Sequence, residues 1–211
     1  MLAALAAAVD GLHEEIPRVV VLAGRGRNFC GGADAAELNA LVPANAGAFV
    51  EKIHQVCKAI RELPVPVVAR LHGAVIGAGL EIAAACDLRV AAEGTKFSMP
   101  EVRLGIPSVV EAALLPRLMG SGRAAWLVLT GDAIDARRAA EWGLVEEVAA
   151  DVDRALEKLV QSLVAGDPGA LREQKRLLQL WEEAPLATAV AASIASFART
   201  TISSTERGKG N

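Results

Sequence analysis

Three short and mainly apolar segments constrain the fold of this chain most strongly: RVVVLAG at 18–24, VPVVARL at 65–71 and LRVAAE at 88–93. Near-continuous apolar strands are typical of parallel sheets whose two faces are both covered by other elements. Between the first two segments, residues 47–63 place apolar side chains every three or four positions, as an amphipathic helix does. This alternation of strands and helices predicts an α/β fold.

The pattern becomes mainly helical after Gly105. An amphipathic helix is also predicted over 1–15, and later helices are predicted over 109–119, 121–130, 135–142, 152–165, 168–183 and 185–199, with a short strand around 145–148. The 211 residues fit one domain. We divide it into a core over 1–145, a C-terminal helical region over 146–199, and a tail over 200–211 that lacks an apolar anchor and is expected to be flexible.

Composition excludes several classes of protein. A formal net charge of −3 and an aromatic content of 3% disfavour a nucleic-acid surface, which needs basic side chains and stacking platforms. Each apolar stretch either is too short to span a bilayer or contains a charged residue. The N-terminus also lacks the basic region of a signal peptide. We therefore predict a cytoplasmic protein without a membrane partner. The absence of tyrosine excludes mechanisms that use a tyrosine acid.

The cysteines and histidines show no metal-binding pattern. Cys30, Cys57 and Cys86 form neither a CxxC pair nor an even set, which predicts reduced, partly buried thiols. His54 and His72 have no partner at metal-ligand spacing, so a structural or surface role is predicted for both.

Two turns rich in small residues carry the chemical information. In GAVIGAG at 73–79 a strand turns into a helix whose first N–H groups are unpaired and can bind an oxyanion. NFCGGAD at 28–34 can bring a second N–H to the same point, which would complete a two-donor oxyanion hole. Glu81 and Glu101 each follow a turn of this kind, and a pair of carboxylates suggests acid–base chemistry on an activated acyl group.

Each of these features also has a structural interpretation. Glycine-rich turns often serve only as turns. Glu81 can complement a helix dipole, and Glu101 can cap the first turn that follows Pro100.

Dinucleotide binding is the rival interpretation of the GAVIGAG turn. It fails because Gly77 and Gly79 are followed three places later by Ile82 instead of glycine. The chain also lacks a phosphate-binding GxxxxGK[ST] loop and a GxSxG nucleophile elbow.

Several motifs together resemble the enoyl-CoA hydratase/isomerase (crotonase) family over about residues 1–200. They are, in order, NFCGGAD, HGAVIGAGLEIAAACDLRVA, FSMPEVRLGI, LPRLMG and LTGDAIDARRAAEWGLVEEV. The resemblance implies a spiral of β-β-α turns with a helical C-terminal region, assembled as trimers or dimers of trimers. It also implies acyl-CoA thioester substrates, as in fatty-acid β-oxidation, with coenzyme A as part of the substrate and no metal or redox cofactor.

The resemblance also implies site residues. The oxyanion N–H groups fall on Ala33 and Ala78, and the substrate-binding positions are Ala33, Asp34, Ala35, Ala36, Gly77 and Ala78. Glu101 corresponds to the proton donor to the substrate α-carbon. Glu81 corresponds to the base that holds and deprotonates the attacking water.

Both glutamates together favour enoyl-CoA hydration. Δ3,Δ2-enoyl-CoA isomerisation, another lyase or hydrolase reaction on a CoA ester, and a non-catalytic CoA-ester-binding chain remain as alternatives. Relative to the family pattern, the first strand pair and the last helix lie outside this sequence. Glu111 occupies a position where hydratases commonly carry glycine, and it is either a third active-site carboxylate or a charge on a helix face.

Overall fold

The structure, a computed structural model, describes residues 1–12 and 15–207. In chain order its elements are α1 (Leu2–Gly11), β1 (Val20–Ala23), α2 (Ala35–Asn39), α3 (Pro43–Glu62), β2 (Val67–Leu71), β3 (Ala74–Ile76), α4 (Ala78–Ala85), β4 (Leu88–Ala92), β5 (Lys96–Ser98), two 3₁₀ turns (Glu101–Leu104 and Val110–Leu114), α5 (Leu115–Met119), α6 (Ser121–Thr130), β6 (Ile134–Asp135), α7 (Ala136–Trp142), β7 (Glu147–Ala149), α8 (Val152–Ala165), α9 (Pro168–Glu183) and α10 (Leu186–Arg207).

The strands form two sheets that the chain visits alternately. The larger sheet is parallel, in the order β1-β2-β4-β7. In the smaller sheet β3 pairs parallel with β5, and β5 pairs antiparallel with β6. A parallel bridge from Cys30 to Val75 places the segment after β1 next to β3. Successive turns therefore give one strand to each sheet and then a helix, which confirms the predicted crotonase-like β-β-α spiral.

Both faces of the larger sheet are covered, as its apolar strands predict. In β2, Val67, Ala69 and Leu71 belong to the main core, which also contains the apolar face of α3. The residue between them, Val68, packs in a second core with Val152 of α8. Alternate side chains of one strand thus enter different cores, so the strand needs apolar residues at every position.

The helical elements differ from the sequence prediction mainly at their ends. Helix α3 begins at Pro43 instead of residue 47, because proline is well suited to the first turn of a helix. The helix predicted over 109–119 is instead a 3₁₀ turn followed by α5. The strand predicted before the helix in 73–79 is β3, whereas β5 and β6 were not predicted, since two or three residues are too few to show a period.

The C-terminal part is helical, as predicted. Helix α10 extends to Arg207, so residues 200–207 of the predicted tail continue this helix. Positions 208–211, and positions 13–14 of the predicted first helix, lie outside the described residues. Among the described helices, none is long and apolar enough to cross a membrane. The three cysteines are free thiols, with Cys57 and Cys86 buried and Cys30 half-buried, as predicted.

A buried ion pair ties helix α9 to the spiral. Lys175, only 5% exposed, donates to the carbonyl of Val65 at 3.0 Å and pairs with Asp87 at 2.8 Å. The same carboxylate oxygen of Asp87 accepts from the Val67 N–H at 2.7 Å. The pair therefore joins α9 to the start of β2 and to the turn before β4.

We expect Lys175→Met to lower the free energy of unfolding by about 3 kcal/mol, because it leaves the Asp87 carboxylate and the Val65 carbonyl without their partner. Urea unfolding measures the loss. Lys58→Met is the matched control, since the Lys58–Glu62 pair on α3 is exposed and its loss should cost about 0.5 kcal/mol or less. Equal effects of the two substitutions would contradict a structural role for the buried pair.

Candidate active site

A cavity of about 130 Å³ brings most of the predicted site residues together. It lies between α2, α3, the start of α4 and the segment 100–109. Its walls include Ala33, Gly77, Ala78, Glu81 and Glu101. A wider groove of about 630 Å³ shares part of this wall, including Ala33 and Ala78, and runs past α1 and α2. The arrangement is a narrow apolar pocket that opens beside a larger groove.

The start of α4 is built to leave one N–H free. Gly77 has a φ of +54°, and its N–H donates to the carbonyl of Ser98 at 3.0 Å. The hydrogen bonds of α4 begin when Leu80 and Glu81 donate to the Gly77 carbonyl, at 2.8 and 3.0 Å. The N–H of Ala78 therefore lies in the first turn, where a helix has no partner for it.

The predicted second donor, Ala33, follows a segment held against β3. Cys30 donates to Ala74 at 3.1 Å, and Ile76 donates to Cys30 at 3.0 Å. Gly32, with a φ of +94°, turns the chain so closely that a Cβ there would lie 3.0 Å from the Ile76 carbonyl. Within the described residues, neither the Ala33 nor the Ala78 N–H donates to a protein acceptor. Both residues line the same cavity, where these N–H groups can serve a ligand.

Glu81 is a buried carboxyl group, only 4% exposed. Its pKa is raised to about 8, and burial is the largest cause. A hydrogen bond from the Ala112 N–H opposes the rise, and the charges of Glu101 and Glu111 add to it. That bond, 3.2 Å long, reaches Oε1 of Glu81 from the 3₁₀ turn Val110–Leu114. Glu81 therefore holds a proton at neutral pH in the unliganded protein.

Glu101 is half-buried and starts the first 3₁₀ turn. Its Oε2 accepts from the hydroxyl of Ser108 at 2.9 Å. Its Oε1 lies where a Cβ on Gly77 would stand, so only glycine leaves room for it at that position. The side chain of Glu101 therefore bonds to a group outside its own first turn, which argues against the capping interpretation of this residue.

Three predicted substrate-binding positions lie on α2 or at its start. Asp34 caps this helix by accepting from Ala36 at 2.8 Å and Glu37 at 3.3 Å, and it lines the wider groove. Ala36 is exposed and lines neither the cavity nor the groove. Ala35 is the first residue of the helix. Asp34 thus has a structural role that its sequence position already suggests.

Glu111 lies behind the cavity and not in its wall. It is 7% exposed, and its Oε1 lies 2.7 Å from Nδ1 of His54 on α3. Sequence analysis identified no partner for His54, because 57 positions separate it from Glu111. Only the fold brings α3 onto the second 3₁₀ turn. No sequence pattern could have indicated this pair.

Another cavity, of about 360 Å³, contains none of the predicted catalytic residues. It lies near the end of α9, and its charged lining includes Arg61 and Arg117, which both pair with Glu182. In the described part of the chain, no group of three or more His, Cys, Asp and Glu side chains is placed to hold a metal ion. The absence of a cofactor stays a prediction.

The raised pKa of Glu81 predicts a pH dependence of stability. A carboxyl group that titrates near 4.5 when unfolded and near 8 when folded contributes stability below pH 4.5, which is lost as pH rises through 8. We therefore expect Glu81→Gln to become progressively more stable than the parent protein between about pH 5 and about pH 9. Urea unfolding across this range measures the difference. The exposed Glu62→Gln should show no such trend, and a parent and Glu81→Gln that respond alike would contradict the raised pKa.

Comparisons with known proteins agree on one family. A family model described as enoyl-CoA hydratase/isomerase matches residues 1–211. An enoyl-CoA isomerase/hydratase of Mycosarcoma maydis is 35% identical over 178 residues, which are 82% of this chain and 65% of that protein. The mitochondrial methylglutaconyl-CoA hydratase of Mus musculus is 33% identical over 219 residues, covering 100% of this chain and 69% of that protein. The chain thus spans about two thirds of the length of these curated relatives.

Solved structures show the same likeness. The enoyl-CoA hydratase of Thermoplasma volcanium superposes with a TM-score of 0.91 at 32% identity, covering 96% of this chain and 82% of the other. The enoyl-CoA hydratase of Mycobacterium smegmatis gives the same TM-score and identity, with coverage of 95% and 79%. Sequence, fold and the full-length family match lead to one conclusion: the chain belongs to the enoyl-CoA hydratase/isomerase family.

Proposed function

We propose that this protein is an enoyl-CoA hydratase, which adds water across the 2,3 double bond of an enoyl-CoA thioester. One observation carries the proposal: Glu81 and Glu101 line the same cavity as Ala33 and Ala78, whose N–H groups are free for a ligand. Acid–base groups and oxyanion donors are thereby placed around one small apolar space, as hydration of a conjugated thioester requires.

The proposed reaction begins with the thioester carbonyl oxygen between the N–H groups of Ala33 and Ala78. Glu81 accepts a proton from water as the water oxygen bonds to the β-carbon, and the electron pair of the double bond moves to the carbonyl oxygen as an enolate. The two N–H groups stabilise this charge, and losing one such donor typically costs ~3–4 kcal/mol. Glu101 then protonates the α-carbon, which completes the hydrated product.

The two carboxyl groups must share protons for this sequence to start. In the unliganded protein burial favours the proton on Glu81, yet water activation needs Glu81 ionised and Glu101 protonated. Both groups border one cavity, so a single water between them can exchange the proton. The difference in their environments, one buried and one half-buried beside Ser108, supports separate acid and base roles.

The cavity supports short, uncharged acyl chains as substrates. Its volume of about 130 Å³ is small, and its wall is mainly aliphatic and aromatic, with Leu38, Leu41, Phe49, Val50, Ile53, Leu104, Ile106 and Val109. Among the described residues that line it, Glu81 and Glu101 carry the charged groups, and no lysine, arginine or histidine is present. An acyl chain that ends in a carboxylate would meet no cation there.

Assembly into trimers or dimers of trimers is part of this proposal. On α10, the apolar side chains of Leu186, Val190 and Ile194 are 79%, 49% and 67% exposed and follow one another at four-residue spacing. An exposed apolar stripe of this kind supports contact with another chain.

Removing either acid–base group should greatly reduce hydration. We expect Glu101→Gln and Glu81→Gln each to lower kcat for crotonyl-CoA by about 10²- to 10⁴-fold, because glutamine neither gives nor takes the proton. Loss of the conjugated enoyl-thioester absorbance follows the reaction. Calorimetry with butyryl-CoA should show retained binding.

Glu62→Gln, on the exposed side of α3, is the control and should keep full activity. Near-normal turnover in Glu101→Gln would remove Glu101 from the mechanism. A parent protein that binds butyryl-CoA, leaves crotonyl-CoA unchanged and shifts the double bond of a 3-enoyl-CoA would be an isomerase. Binding without any turnover would favour the non-catalytic alternative.

The composition of the cavity predicts substrate selectivity. We expect kcat/KM for glutaconyl-CoA, which ends in a carboxylate, to be at least about 10²-fold below that for crotonyl-CoA, since the buried carboxylate would lie near two acidic groups without a counter-ion. Competition between the two thioesters, followed by product chromatography, measures the ratio. Comparable kcat/KM values would contradict an uncharged acyl pocket.

A further inference from the structure

Glu111 is buried and only half satisfied. His54 contacts its Oε1, whereas Oε2 is fully buried and has no hydrogen-bond partner among the described residues. Buried polar atoms nearly always have a partner, so an orphan oxygen calls for an explanation. A charge on an exposed helix face does not explain it, because Glu111 is only 7% exposed.

The backbone around Glu111 is also unusual. Val110, the residue before it, has a φ of +42°, which β-branched residues rarely adopt. The resulting 3₁₀ turn buries the Glu111 side chain, and the next residue, Ala112, donates its N–H to Glu81 at 3.2 Å. The strained turn therefore places Glu111 next in the chain to the residue whose N–H group bonds to Glu81. Strained backbone of this kind persists where the surroundings hold it in place.

The ionisable groups shown to interact with Glu111 come from two elements. On α3 they are His54, which is 42% exposed, and the buried thiol of Cys57, whose pKa is raised by burial first and by the charge of Glu111 next. On α4 the group is Glu81, whose pKa the charge of Glu111 also raises. Of these groups, His54 contacts the Glu111 carboxyl group directly, at 2.7 Å.

We propose that Glu111 is a third carboxylate of the reaction centre, a positioning residue that His54 holds behind Glu81. This inference rests on the proposed function, because it assigns Glu111 to the reaction through Glu81. A negative charge in this place disfavours the ionised form of Glu81. Glu111 would thereby set the pH at which Glu81 and Glu101 lose the proton that they share in the proposed reaction.

The test follows the proton on Glu81 directly. Infrared spectroscopy records the carbonyl band of a protonated carboxyl group, and the band that disappears in Glu81→Gln belongs to Glu81. In the parent protein it should be lost with a midpoint near pH 8. We expect Glu111→Gln to move the midpoint down by roughly half a unit to one unit, because one repelling charge is gone.

His54→Phe tests the same link from the exposed side of the pair. It leaves both oxygens of the buried Glu111 carboxyl group without a partner among the described residues, which favours the neutral form of that group, so the repelling charge is lost and the midpoint should move in the same direction. The double variant should show no further shift beyond Glu111→Gln, since both changes act through one charge. If Glu111→Gln does not fold, His54→Phe alone tests the inference. The His54 side chain is partly exposed, so this substitution should disturb folding less.

Kinetics gives a second readout. With crotonyl-CoA, kcat/KM should fall as pH rises through the midpoint of Glu81, because the two carboxyl groups then lose the proton that Glu101 must give, and this fall should move with the midpoint in both variants. Glu62→Gln is the control for both readouts. Midpoints unchanged from that control would overturn the inference, and a purely structural role would lower only the unfolding temperature. A parent protein without hydratase activity would contradict the proposed function, while the infrared titration would still decide the role of Glu111.

Discussion

Close packing of three backbone segments at glycine positions is the constraint on which the site depends. The segment after β1, the β3–α4 turn and the start of the first 3₁₀ turn approach one another within van der Waals distance. At Gly79 a Cβ would lie 2.5 Å from the Cys30 carbonyl, and at Gly32 it would lie 3.0 Å from that of Ile76. Gly77 leaves the space that the carboxylate of Glu101 occupies. Larger side chains at these positions would separate the segments, and with them the N–H groups and carboxylates.

The site gathers acidic groups that repel one another and are partly removed from water. Glu81 accommodates this by holding its proton, Glu101 by accepting from Ser108, and Glu111 by pairing with His54. The three carboxyl groups therefore differ in burial and in hydrogen-bond partner, and burial raises the pKa of Glu81. Such differences are what acid–base chemistry at neutral pH requires. Burying acidic groups close together also destabilises the fold, and the apolar cores on both faces of the larger sheet offset that cost.

Much of the architecture could be predicted because its signals are local. The apolar segments around β1, β2 and β4 show strands buried on both faces, and the turns around Gly32 and Gly77 indicate where backbone approaches backbone. Part of the smaller sheet was missed, because β5 and β6 are held by pairing with distant segments and not by their own periodicity. The strained turn at Val110 was missed for a similar reason, since valine disfavours that conformation and only its surroundings impose it.

The sequence by itself determined the fold class, the family and part of the cavity wall, namely Ala33, Gly77, Ala78, Glu81 and Glu101, because these depend on residue types in short, ordered motifs. Only the tertiary structure decided which groups meet across long separations. His54 reaches Glu111 over 57 positions, and Ala112 reaches Glu81 over 31. It also decided the burial that gives Glu81 its raised pKa. Burial and long-range contacts arise from how the spiral turns stack, and no local pattern along the chain records that stacking.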